Sequence, residues 1–168
     1  MTQPHDHPRK SPRRDAAFTL VELLIVVVIL GVLASIVIPQ FSDATATSKA
    51  TAAASIVRTV QAKVFEDYTT RGDFPPTINA DWFVEGSTPR NPLATAADAA
   101  VILYDGSATA AMDHPAAKTS SSSGAFWYNP TNGSFRALVP AQATQAETLE
   151  LYNTANSAQL DTYAATSN

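Results

Sequence analysis

"AAFTLVELLIVVVILGVLASIVIPQF", residues 16–41, decides the architecture of this chain. Residues 18–38 carry one charge, Glu22, in 21 positions dominated by Leu, Ile and Val. At about 1.5 Å per residue, a helix of that length reaches roughly 30 Å, the thickness of a bilayer core. A charge in hydrocarbon costs roughly 2.5–3.5 kcal/mol on insertion scales, so the carboxylate needs a reason. A plain signal anchor accounts for the length and for the basic residues before it, but not for Glu22. A secretory signal cut near Ala34 accounts for the small residues Gly31 and Ala34. It also leaves Glu22 unexplained, and its apolar run continues past the cut to Ile38. Pro39 ends or kinks the run.

Upstream, "MTQPHDHPRKSPRRD" (1–15) holds three prolines and no apolar period, and reads as a processed or disordered leader. Arg9, Lys10, Arg13 and Arg14 beside an apolar run keep that leader on the cytoplasmic side. Of 11 basic and 15 acidic residues, four and two lie in 1–17, so the remainder carries seven and thirteen, a net of −6. An acidic body argues against a nucleic-acid groove. The absence of Cys excludes disulfides, a thiol nucleophile and thiolate metal sites.

"AAFTLVELLIVVVILGVLASIVIP" resembles the N-terminal signature of type IV pilins and of the pseudopilins of type II secretion. The resemblance implies that a prepilin peptidase cuts between Ala17 and Phe18 and methylates the new amine on Phe18. The family usually has Gly before the cut; here it is Ala17. Phe18, Glu22 and Pro39 fall at the family's Phe, Glu and Pro places. The implied product is a single-pass protein of the inner membrane, its C-terminal domain outside, that joins a helical homo-oligomeric filament. The implied partners are the peptidase, an inner-membrane assembly platform and its ATPase. Glu22 then gains a function: it pairs with the Phe18 amine of a neighbouring copy. A lone buried carboxylate is costly and a paired one is tolerated, and the pair fixes register as a polar residue does in a coiled coil. The bland alternative is a Glu that snorkels idly to the headgroups.

Downstream, Ala53, Ile56, Val57, Val60, Val64 and Tyr68 recur at three- and four-residue steps, an amphipathic helix whose stripe the C-terminal part covers. Ser42 or Asp43 is placed to cap a restart after Pro39; Gly72 and Pro75-Pro76 end the helix. "AVILYDG" (100–106) reads as a strand and "AFWYN…SFRALV" around "PTNG" as a hairpin, with Phe126 and Tyr128 on one face and Trp127 on the other. "KTSSSSG" (118–124) reads as a flexible loop. The tail from Ala143 is open among helix, closing strand and loose end.

The expected fold is α+β: a long N-terminal helix, its first half membrane-spanning, packed on a small antiparallel sheet. The expected divisions are a leader (1–17), an assembly helix (18–39), a stalk (40–71) and a loop-rich β domain (72–168). No enzyme signature stands out. Asp113-His114 lacks a nucleophile elbow, and no phosphate loop or zinc spacing occurs. Asp105 and Asp113 are weak candidates for calcium, far sparser than an EF-hand; otherwise no metal or cofactor is expected. The family analogy favours a type II secretion pseudopilin, with a surface pilin for adhesion, twitching or DNA uptake as the alternative. A signal-anchored extracytoplasmic binding module is the alternative from another class.

Overall fold

The apolar run and the Ala- and Thr-rich stretch after it form one helix, α1 (Leu20–Arg71), in a computed structural model. The structure describes residues 18–95, 97–120 and 124–167, without the side chains of residues 36–43 and 85. α1 is helical through 39–43, so no restart follows Pro39; the side chains expected to bend and cap it there lie outside the described residues. Its end follows expectation: Gly72 adopts φ +85°, and its N–H donates to the Tyr68 carbonyl at 2.8 Å. The chain divides into two compact units, Met1–Gln40 and Phe41–Asn168.

In the second unit the α1 stripe is buried at Ala50, Ala53, Val57, Val60 and Val64. It packs on Phe126, Tyr128, Phe135 and Tyr152, so the C-terminal domain covers it as expected. Two members of the expected stripe sit at its margin. Ile56 is half-buried, and Tyr68 stacks on Phe74 with ring centres 4.3 Å apart.

Three short strands form the sheet in the order β1 (Ile102–Tyr104), β2 (Phe126–Asn129), β3 (Ser134–Ala137). β2 and β3 are the antiparallel hairpin read from "PTNG", closed by Gly133 at φ +73° with its N–H on the Asn129 carbonyl. Alternation puts Phe126, Tyr128, Phe135 and Ala137 against α1, and Trp127 opposite with Ala108 and Leu138. β1 corrects the expectation of an antiparallel sheet: it runs parallel to β2, with Ile102 opposite Phe126. Asp105-Gly106 makes a local turn, Asp105 accepting from the Ser107 N–H, but does not return the chain as a hairpin. A parallel neighbour needs a crossover that returns the chain to the start of the sheet between the two strands.

Side-chain amides close the outer edge of β3. Gln61 accepts from the Phe135 N–H at 2.9 Å and donates to the Gly133 carbonyl at 2.7 Å. Asn156 accepts from the Ala137 N–H at 2.7 Å and donates to the Ala137 carbonyl at 3.0 Å. Two amides thus stand in for a fourth strand and blunt the edge. Asn156 ends α2 (Gln145–Asn156), so the first half of the ambiguous tail is helix and residues 157–167 follow it as turns and irregular chain. Thr144 and Glu147 form a reciprocal capping box at its start. Thr144→Ala is expected to destabilise the domain by about 1 kcal/mol, seen as a lower denaturation midpoint with an unchanged slope.

The stretch read as a flexible loop begins with a buried anchor. Lys118 is fully buried, donates to the Pro115 and Ala165 carbonyls at 2.9 and 2.7 Å, and lies within 6 Å of the Tyr152 and Tyr163 rings. Thr119 pairs with Val139, while residues 121–123 lie outside the described residues. The N–H groups of Asp113 and His114 both donate to the Thr166 carbonyl, so residues 113–118 hold the C-terminal segment to the domain.

Burial pushes the Tyr128 and Tyr152 hydroxyls well above their ordinary value of 10.0. The folded state then keeps protons that the unfolded chain releases. The stability these groups provide is complete below pH 10.0 and is lost as pH rises above it. Burial lowers the Lys118 ammonium, which acts with the opposite sign. The domain is expected to weaken above about pH 10, and Tyr152→Phe to flatten that decline. A pH series of denaturation midpoints checks this, and an equal decline in the variant would contradict it.

Candidate functional site

Phe18 and Thr19 precede α1 and are not helical. Thr19 sits where the first turn leaves backbone donors without helical partners. Its N–H and its hydroxyl both donate to Glu22 Oε2 at 2.8 Å, and its hydroxyl oxygen accepts from the Glu22 N–H at 3.2 Å. The Thr19 carbonyl accepts the first helical bond, from Leu23. This is a capping box built from Thr-x-x-Glu. Glu22 is exposed, and its Oε1 accepts nothing from the described residues.

Every described side chain from Phe18 to Ser35 is exposed, the large apolar ones from 47% at Val26 to 81% at Leu20. A helix apolar on all sides must be covered by lipid or by other helices. Among the described residues, no helix is long and apolar enough to cross a membrane. Those residues stop short of the full apolar run: the side chains of Ile36, Val37 and Ile38 lie outside them.

The predicted site residues therefore separate. Ala17 lies outside the described residues, as does the side chain of Pro39. Phe18 is exposed beside the helix start, and Glu22 is folded back onto Thr19. Thr19 is the residue missed by reading Glu22 alone; its signal was the capping-box spacing.

The two weak calcium candidates are parts of loop scaffolding. Asp105 accepts from the Ser107 N–H and hydroxyl at 3.0 and 2.6 Å and from Trp127 Nε1 at 3.2 Å. The Ser107 hydroxyl bond, above all, holds its carboxyl below the usual range. Asp113 Oδ1 accepts from Asn132 and from the Ser134 hydroxyl. Among the described residues no three acidic or histidine side chains gather to hold a metal ion. His114 is buried, with Nδ1 accepting from Arg136 Nε at 3.3 Å and lying 3.0 Å from the Tyr152 hydroxyl.

Residues 12–38 match the family model described as the prokaryotic N-terminal methylation motif. Two relatives, each a "Fimbrial protein" of Pseudomonas aeruginosa, are 58% identical over 40 residues, 24% of this chain and 26% of theirs. The chain thus spans about a quarter of the length of the curated relatives it matches. No solved structure matches it. The N-terminal segment thus carries the methylation motif and is similar to the corresponding segment of fimbrial proteins.

Proposed function

We propose that the chain is the precursor of a subunit of a helical filament, cut between Ala17 and Phe18 and N-methylated on Phe18. The observation that carries this is the helix start: a single carboxylate, Glu22, stands in a first stretch of α1, residues 20–35, that is otherwise uncharged and exposed on all sides. In this reading the processed subunit waits in the inner membrane as a single-pass protein with residues 41–168 outside. It then leaves lipid for a bundle of identical helices, with Glu22 neutralising the Phe18 amine of the next copy. Helices gain little from apolar burial when lipid is the alternative, so close packing and register decide the assembly. The contact is head-to-tail and open, which gives fibres instead of closed rings. The prepilin peptidase, an inner-membrane platform and its ATPase are the proposed partners.

The first form of the filament is a pseudopilus that exports folded proteins, supported by the small C-terminal domain without a Cys-clamped loop. A surface pilus is the second, favoured by the name of the fimbrial relatives. Deletion in the native host separates them: loss of secreted enzymes with surface fibres intact supports the first, and the reverse supports the second. A deletion strain that keeps both removes the filament reading.

A further inference from the structure

We infer that the cleft between the C-terminal end of α1 and the 3-10 turn Ala80–Trp82 is a binding site for one neutral sugar ring. The inference stands apart from the filament reading. The cleft holds about 230 Å³ and is lined by Lys63, Glu66, Asp67, Thr70, Arg71 and Trp82. Asp67 is its unusual member. Its side chain is 11% exposed, and Oδ1 pairs with Arg71 Nε at 3.0 Å. Oδ2 is shielded from solvent and has no hydrogen-bond partner among the described residues. A buried carboxylate oxygen without a donor is costly, which favours a ligand that brings one. Asp67, Arg71 and Trp82 also line a second cleft, against Pro75 and Pro76, so these three side chains form a partition. The partition has room to open for a ligand, since Arg71 is 65% exposed and Trp82 sits on a single short turn.

The lining selects the ligand class. Lys63 and Arg71 balance Glu66 and Asp67, so the cleft has no net charge. An anion meets two carboxylates, a cation meets an ammonium and a guanidinium, and an apolar ligand strips water from all four. A neutral ligand that donates and accepts at several points, with one apolar face, meets none of these costs. Lys63 gives one N–H to Glu66 at 2.9 Å and keeps its other donors, as does the Arg71 guanidinium beyond Nε. Thr70 donates to the Glu66 carbonyl at 3.1 Å, which leaves its hydroxyl oxygen to accept. Adjacent hydroxyls of a pyranose then donate to Asp67 Oδ2 and accept from Arg71. Its C–H face lies on the Trp82 indole, whose π face is negative. The volume limits the site to one ring, since sites for drug-sized ligands run to roughly 300–1,000 Å³.

The test titrates the methyl glycosides of glucose, galactose and mannose, each separately, into the full chain in a phosphocholine detergent, which carries no sugar. The indole N–H resonance of Trp82 reports binding by NMR, and that of Trp127, buried with Ala108 and Leu138, is the internal reference. At least one glycoside is expected to shift Trp82 alone, saturably, with a Kd on the order of 1 mM, the scale of the usual ligand efficiency over about thirteen non-hydrogen atoms. Asp67→Asn keeps the side-chain size and gives up one acceptor, and Arg71→Gln changes an exposed residue. Each is expected to weaken binding about tenfold, on the scale of one lost charge-assisted hydrogen bond. Denaturation midpoints show that a variant is folded, and Arg71→Gln carries the test if Asp67→Asn is not. Methylammonium and inorganic phosphate at the same concentrations are expected to leave Trp82 unmoved. The inference is overturned if no glycoside shifts Trp82, if Trp82 and Trp127 shift alike, if a folded variant binds like the native chain, or if methylammonium or phosphate binds more tightly than the sugars.

Discussion

Glu22→Ala is expected to leave the precursor processed and inserted in the membrane and to abolish its recovery in the proposed filaments. Removing one partner of a buried ion pair strands the other charge, at a cost of about 3–5 kcal/mol. Per subunit contact that is a factor of at least about a hundred in the equilibrium constant, and it recurs at every added copy. The loss of the Thr19 cap adds only about 1 kcal/mol. Insertion moves the other way, because removing a carboxylate from an apolar run makes it easier to insert. The idle snorkelling alternative gives the opposite result, with filaments at native yield. Immunoblots of sheared and membrane fractions decide between them.

Gly133→Ala is expected to destabilise the C-terminal domain by roughly 2–5 kcal/mol. Two costs add at this residue. Its φ of +73° is left-handed, a conformation that costs roughly 1–2 kcal/mol for a residue with a Cβ. The new Cβ would also stand 2.4 Å from Phe74 Cδ1 and 2.5 Å from Cε1, and overpacking of this kind costs about 1–3 kcal/mol. The ring has little room to withdraw, since Tyr68 stacks on it at 4.3 Å. Backbone movement is opposed as well, because Gln61 holds the Gly133 carbonyl at 2.7 Å. Gly106 is the control: nothing lies within 4 Å of its added Cβ and its φ is not positive, so Gly106→Ala should change stability by less than about 0.5 kcal/mol. Denaturation of the full chain in detergent reads both. Equal midpoints for the two variants would remove the argument for Gly133.

The Gly133–Phe74 contact also marks what the sequence could and could not convey. Local signals were legible. The 3.6-residue stripe gave the buried face of α1, Gly72 gave its end, and Asn132-Gly133 gave the hairpin with its facing aromatics. The meeting of "GDFPP" with "PTNG" was not legible, because tertiary contact has no local period. The direction of β1 was hidden for the same reason: three residues and an Asp-Gly turn look alike in parallel and antiparallel neighbours, and only the long crossover distinguishes them. Lys118 misled because a lysine before four serines looks solvated; the carbonyls of Pro115 and Ala165 that receive its ammonium are supplied by the fold. At the candidate site, Glu22 was visible as an outlier in an apolar run. Thr19 was visible only to a reading that asked how the first turn of the helix meets its backbone donors.

The N-terminus of the subunit recovered from sheared fibres of the native host tests the central claim most directly. Mass spectrometry is predicted to show a chain that begins at N-methylated Phe18. A chain with its leader intact, or one that begins at Ser35, would contradict the account, because no free amine would then exist beside Glu22.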